Sequence, residues 1–342
     1  MTLRPLGRTG VHVSNLCLGA MMFGSWGNTD HEDSIRIIHA ALDAGINFID
    51  TADVYSDGES ERIVGKALAG GKREQVVLAT KVGFPMGEDL SRRGASRRRI
   101  ISGVEDSLCR LNTDWIDLYQ IHRPDPNTDI DETLSALSDL VHQGKIRYFG
   151  HSTFPPSEIV EAQWTSERRG HERFRCEQPP YSVLTRAIEH DVLPTCQRYG
   201  LGVITYSPLA GGWLTGRYRK GGDAPEPASE ARRRLPDRFD LSLPANQRKL
   251  DAVEQLAQLA EENGITLIEL AIAFVVRHPA VTAAIIGPRT MEHLESQLAS
   301  ADIVLSDELL DWIDEINPPA VTINPADNGW TQPALNPELR RR

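Results

Sequence analysis

Short β-rich runs alternate with amphipathic helical stretches along almost the whole chain, and that rhythm restricts the fold more than any single motif does. Strands are expected at Leu16 to Gly19, Ile46 to Asp50, Val76 to Lys81, Trp115 to His122, Ile146 to Ser152, Phe174 to Gln178, Gly202 to Tyr206 and Ala283 to Gly287. Helical patterns fill the gaps. In the first, Thr29 and Glu32 fit a capping box, Ile35, Ile38 and Leu42 form an apolar face, and Gly45 is placed to end the helix. Ile100, Val104, Leu108 and Leu111 repeat that pattern before the fourth strand, and Leu134, Leu137 and Val141 before the fifth. Eight strands joined by helical crossovers predict a closed parallel (β/α)8 TIM barrel, with the 342 residues forming one domain.

Three segments fall outside the repeat. The stretch before Ser14 reads as a β-hairpin able to plug the barrel bottom. A long loop from Gly211 to about Gln247 follows the seventh strand, and a Pro-rich tail runs from Pro318 onward. Loops of such length are usually functional or disordered. An open doubly wound sheet is the structural competitor, but it calls for GxGxxG after an early strand, and the nearest string, Gly200-Leu-Gly202, fails at Thr205. No Walker-type phosphate loop occurs either, so a nucleotide would have to be held differently.

A composition of 40% hydrophobic and 25% charged residues is that of a chain able to bury a large core. The formal net charge of -11 argues against a nucleic-acid binder, which needs a basic excess to displace counterions. No signal-peptide pattern or membrane-length apolar run appears, so a cytoplasmic location and no membrane partner are expected. Cys17, Cys109, Cys176 and Cys196 lie far apart without metal-ligand spacing and read as reduced structural thiols. No metal site is expected.

In a parallel barrel the carboxyl ends of the strands form the active site. Here they carry Asp50 with Tyr55 just beyond, Lys81, His122, Ser152 with Thr153, Gln178, and Tyr206 with Ser207. Any one of these alone reads more readily as a solvated or structural residue; together at consecutive strand ends Asp50, Tyr55, Lys81 and His122 make a physically sensible proton donor. A free phenol, near pKa ~10, is a poor acid at neutral pH. A neighbouring Lys81 favours its ionised form, Asp50 keeps that lysine charged, and His122 can orient a carbonyl oxygen.

At these residues the chain closely resembles the aldo-keto reductase family, through GINFIDTADVYSDGESERIVGKAL, VVLATK, DWIDLYQIH and ITYSPLAGGWLTGRY. The resemblance implies NADP(H)-dependent hydride transfer between nicotinamide and a small-molecule carbonyl or alcohol, with the tetrad Asp50, Tyr55, Lys81 and His122 and Tyr55 as general acid. It further implies that Met21, Met22 and Asp50 border the cofactor, that nicotinamide stacks on Tyr206, and that Ser152, Thr153 and Gln178 hold its carboxamide. Backbone around Ser207, Leu209, Gly211 and Leu214 would follow the pyrophosphate. In AIIGPRTMEHLESQL, Gly287 and Arg289 would approach the 2'-phosphate and His293, Ser296 and Gln297 the adenine, which implies NADPH in preference to NADH. The chain departs from the family at Thr153, commonly Asn, and at Ser296 and Gln297, commonly Glu-Asn.

Trp26 and Phe23 in the loop after the first strand, and Trp330 in the tail, are candidate walls of the substrate pocket beside Tyr55 and His122. The run Arg92, Arg93, Arg97, Arg98 and Arg99 reads as a solvated loop, with an anion-receiving rim as the alternative. Arg232 to Arg234 read equally as a clasp over phosphates or as solvated charge. A metal-dependent hydrolase lacks its HxH or HExxH, and a glycosidase lacks paired carboxylates at strands four and seven. A redox sensor that binds NADP(H) and signals to a partner, as some relatives do, is the remaining alternative.

Overall fold

In the computed structural model, residues 1–221 and 235–331 are described. Strands β1 (Leu3–Pro5) and β2 (His12–Ser14) form an antiparallel hairpin. The other eight, β3 (Leu16–Gly19), β4 (Phe48–Asp50), β5 (Val77–Val82), β6 (Ile116–Ile121), β7 (Ile146–Ser152), β8 (Cys176–Gln178), β9 (Gly202–Thr205) and β10 (Ala283–Ile286), close into a parallel barrel in sequence order. Closure comes from β10 pairing with β3, Ala284 opposite Leu16 and Ile286 opposite Leu18.

Every expected strand is present, with ends differing by a residue or two. The first helix, α1 (His31–Asp43), is capped by Asp30 and not by Thr29: the Asp30 carboxylate accepts from the Glu32 and Asp33 amides at 2.9 and 3.1 Å. A carboxylate at a helix N-terminus satisfies free N–H groups and meets the helix dipole favourably. The helices α2 (Glu59–Ala67), α3 (Arg97–Leu111), α4 (Ile130–His142), α5 (Pro156–Arg169) and α6 (Val192–Tyr199) then follow their strands in turn.

After β9 the chain holds α7 (Pro244–Glu262) and α8 (Leu267–Arg277), and after β10 come α9 (Met291–Leu298) and α10 (Asp307–Ile316). The irregular segment after β9 is therefore shorter than expected, because α7 already begins at Pro244. The expectation for Arg232 to Arg234 lies outside the described residues. No helix among the described residues is long and apolar enough to cross a membrane.

Alternation along each strand separates two cores. Leu16, Leu18, Ile49, Leu78 and Tyr119 pack outward against the helices, whereas Cys17, Phe48, Ala79, Leu118 and Ile204 fill the barrel. The hairpin completes that inner core with Leu6 and Val13. Its approach is close enough that a Cβ on Gly7, which has φ 55°, would lie 2.5 Å from the Gly202 amide. This contact accounts for the Gly200-Leu-Gly202 string: glycine is there to admit the plug and not a pyrophosphate.

Candidate active site

Asp50 ends β4, and its carbonyl and that of Ala79 receive the amides of Ala20 and Thr51 at 2.8 and 2.9 Å, tying three neighbouring strand ends together. Beyond it, Ser56, Asp57 and Gly58 all take left-handed backbone, φ 49°, 52° and 83°. Two consecutive non-glycine residues in that region are costly and mark a sharply specified turn. The Ser60 hydroxyl clamps the turn by donating to the Ala20 carbonyl at 2.7 Å. The result is to aim Tyr55 back over the barrel mouth.

Lys81 is fully buried, and its ammonium makes three hydrogen bonds. It donates to the Asp50 carboxylate, to the Thr51 carbonyl at 2.9 Å and to the Tyr55 hydroxyl at 3.1 Å. Burial works against its charge, but Asp50 and Tyr55 outweigh burial and leave its pKa above the ordinary lysine value. For Tyr55 burial wins: the phenol is pushed above its ordinary value although Lys81 and, more weakly, Arg123 pull it down. In the resting chain Tyr55 therefore carries its proton, and the lysine beside it stabilises the charge that appears when the proton leaves.

His122 lies just past β6 with its ring 5.8 Å from that of Tyr55 and 4.4 Å from Phe84. Burial, then Lys81 and Arg123, hold its pKa well below the ordinary histidine value, so the ring is neutral at neutral pH. Its Nδ1 is buried without a hydrogen-bond partner among the described residues. The Trp26 ring also lies against Tyr55, with centroids 6.0 Å apart. Phe23 does not join that wall: it is wholly buried in the outer core, a correction to its expected place beside the substrate.

A polar arc continues around the rim. The Ser152 hydroxyl donates to the Gln178 carbonyl at 2.8 Å, and Thr153, in left-handed backbone with φ 60°, brings its hydroxyl within 3.3 Å of the Tyr206 hydroxyl. The Gln178 amide points inward, donating to Asp50 at 2.9 Å and to Gln120 at 3.2 Å. Gln120, Phe84 and Arg123 are site residues that the sequence reading missed. Gln120 had a signal, since it is two residues before His122 on one strand and so shares its face.

Ser207, Ala210, Gly211 and Gly212 bend the loop after β9 through left-handed conformations, φ 59°, 49°, 66° and 97°. The Leu214 side chain is core, leaving only its backbone to the loop surface. Met21 is exposed and Met22 half-buried just after β3, while Gly287 and Arg289 follow β10 and lead into α9. On α9, His293 faces solvent, the Ser296 hydroxyl donates to the His293 carbonyl at 3.0 Å, and buried Gln297 leaves Oε1 without a partner among the described residues.

The tail reaches the same mouth. Buried Lys249 donates to Asp327 at 2.8 Å beneath the Trp213 ring, which its ammonium faces at 4.4 Å. This fixes Gly329 so close to Tyr206 that a Cβ on it would fall 2.0 Å from the phenol oxygen. Trp330 follows, half-buried.

The arginine run needs correction. Arg97 to Arg99 open α3, and Arg99 is fully buried against Asp53, while Arg92 and Arg97 pair with Asp106 and Asp139. With Glu61, which accepts from Thr80 and Arg110 at 2.6 Å each, Asp53 and Arg99 form an ionic layer behind β5. Thr80 faces that layer and Lys81 the mouth, as neighbours on a strand must. Burial pushes the Asp53 carboxyl up to about 6 against the pull of Arg99.

An acid, a lysine, a phenol and an imidazole assembled at consecutive strand ends agree with what the comparison with known proteins shows: the aldo/keto reductase family matches this chain over residues 15–318. The chain belongs to that family. Among relatives of this aldo-keto reductase, "Uncharacterized oxidoreductase YrpG" of Bacillus subtilis (strain 168) is 41% identical over 323 residues, covering 92% of this chain and 95% of its own. "Aldo-keto reductase YhdN" of the same organism is 38% identical, covering 86% and 87%. "Probable voltage-gated potassium channel subunit beta" of Oryza sativa subsp. japonica is 34% identical, covering 92% and 96%. Family membership makes the chain an oxidoreductase of carbonyl compounds.

Proposed function

We propose that this protein reduces aldehydes or ketones to alcohols, or runs the reverse reaction, with NADP(H) as hydride carrier and Tyr55 as general acid. The observation that carries the reading is the 3.1 Å contact between the Lys81 ammonium and the Tyr55 hydroxyl, with Asp50 behind the lysine. When bound, the dinucleotide supplies the hydride that adds to the carbonyl carbon. Tyr55 then gives its proton to the carbonyl oxygen, Lys81 stabilises the phenolate left behind, and neutral His122 donates a hydrogen bond to the same oxygen.

The chain's own residues fit such a cofactor. Tyr206 stands at the mouth, Ser152, Thr153 and Gln178 offer hydroxyls and an amide beside it, and Gln297, at the proposed adenine end, has an acceptor without a partner among the described residues. Among the described residues nothing lies within 4 Å of a Cβ added to Gly287, two residues before Arg289. Arg289 ahead of α9 suits a 2'-phosphate and supports NADPH over NADH. Trp26 and Trp330 are the proposed substrate walls.

Incubation with an aldehyde and NADPH deuterated at the transferable ring position tests the reading. The alcohol product carries deuterium on the carbinol carbon; deuterium lost to solvent contradicts direct transfer. The 34% identity to the "Probable voltage-gated potassium channel subunit beta" of Oryza sativa subsp. japonica supports a second reading, in which turnover is slow and the bound redox state is signalled to a partner. The fully assembled tetrad favours the first.

A further inference from the structure

Arg123 follows His122 at the end of β6, half-buried at the mouth of the barrel. Its Nη1 donates to the His122 carbonyl at 2.6 Å and to the Ser152 hydroxyl at 3.1 Å, and Nη2 lies 3.4 Å from the Tyr206 hydroxyl. The guanidinium also faces the Phe84 ring at 5.5 Å. All of these partners are neutral, and no ion pair to Arg123 occurs among the described residues. In this it differs from the deeper arginines, since Arg99, Arg110 and Arg186 each hold a carboxylate. A half-buried guanidinium whose partners among the described residues are all uncharged has its strongest available interaction, a charge-assisted pair with an anion, still to make.

The space for that anion is beside it. A recess of about 560 Å³ opens between the loops after β5 and β6, lined among others by Leu90, Arg93, Arg123 and Asp125. Arg93 also has no ion pair among the described residues. Asp125 is turned to its own loop, accepting from the Ala95 amide at 2.8 Å, the Thr128 hydroxyl at 2.7 Å and the Asn127 amide at 3.0 Å. The recess therefore presents two cations against one engaged carboxylate. Ring contacts run from Tyr55 to His122, from His122 to Phe84 and from Phe84 to Arg123, so Arg123 borders the same rim as the proposed proton donor.

We propose that Arg123, helped by Arg93, anchors the acidic end of the substrate. The compounds reduced are then oxo acids, in which a ring or short chain separates the carbonyl from a carboxylate. This rests on the carbonyl reductase reading above, and names the substrate class for that same site.

The test compares para-carboxybenzaldehyde with its methyl ester, which keeps the aldehyde and removes the charge, in the wild-type protein, Arg123→Met, Arg123→Lys and Arg93→Ala. The wild type is expected to favour the acid in kcat/KM by about 10- to 100-fold, the range for a hydrogen bond to a charged group. The ratio should collapse towards one in Arg123→Met, recover in part in Arg123→Lys and fall a few-fold in Arg93→Ala, with the change mainly in KM. A wild-type ratio of one or below, or a ratio unchanged in Arg123→Met, overturns the anchor while turnover of the ester leaves the reductase reading standing. If neither aldehyde is reduced, it is the reductase reading that fails. Calorimetric binding of the same acid and ester then decides the anchor: equal affinities overturn it, and an acid preference lost in Arg123→Met supports it.

Discussion

The Lys81 ammonium lies 3.1 Å from the Tyr55 hydroxyl while its other two hydrogen bonds go to Asp50 and the Thr51 carbonyl. With all three N–H groups engaged and no exposure to solvent, the amine cannot turn away from the phenol, and Asp50 keeps it charged. Lys81→Met should lower kcat for carbonyl reduction by roughly 10²- to 10⁴-fold, the span of general acid contributions. It should also destabilise the fold by about 3–5 kcal/mol, because Asp50 is left as an unpaired buried charge. Steady-state kinetics beside a denaturant titration measures both; a stable variant with undiminished kcat contradicts the coupling.

The pH dependence has a definite sign. With Tyr55 as the proposed acid, reduction needs it protonated, and burial raises its pKa above the ordinary value of 10, so activity should fall only as pH rises through that alkaline range. His122, held well below 6.5, is already neutral at neutral pH and contributes no break between pH 6.5 and 10. A profile of kcat/KM should be level across that interval for a substrate that does not itself titrate there. A break near pH 7 that disappears in His122→Gln would contradict the assignment.

Asp53 supplies a stability test separate from activity. Its carboxyl titrates near 6 in the folded chain against an ordinary 3.8. Above pH 6 it is ionised in both states, and the folded state bears the cost of the buried charge. Between 6 and 3.8 the folded state protonates first, so this group adds stability as pH falls, by up to ~3 kcal/mol for a shift of about two units. Relative to Asp53→Asn, the wild type should gain stability from pH 7 to pH 4.5. Thermal melts of both proteins at the two values measure the difference, and a gap that stays constant, or moves the other way, is the contrary result.

Arg289→Ala should weaken NADPH by about tenfold or more and NADH little, since only the former carries the 2'-phosphate that a charged hydrogen bond would hold. Fluorescence titration with each dinucleotide reads the two affinities; equal losses contradict the contact.

The barrel, and the placing of Asp50, Tyr55, Lys81 and His122 at its mouth, were legible in the sequence because both depend on local pattern. Strand and helix periods mark the elements, and the polar residue that ends each strand is in the site by topology alone. What was hidden depends on partners distant in the chain. Arg99 looks solvated within its arginine run, and only the folding of α3 against the turn after β4 brings it to Asp53. Arg123 sits beside His122 in the chain, yet its partners Ser152 and Tyr206 come from other parts of the barrel. Phe23 failed in the opposite sense: an aromatic in a strand-end loop suggests a pocket, but the loop turns its ring into the core. The tail was expected to bring Trp330 to the substrate pocket, but its anchorage was hidden, since what places Gly329 on Tyr206 is the Lys249–Asp327 pair.

The most direct test of the central claim is Tyr55→Phe, which removes one oxygen and leaves Lys81, Asp50 and the rim beyond them in place. Cofactor affinity by fluorescence titration and kcat for an uncharged aldehyde are measured on the same preparation. The account predicts NADPH affinity within a few-fold of wild type and a loss in kcat of about 10²-fold or more. Undiminished turnover in Tyr55→Phe would contradict it and remove this phenol as the source of the proton.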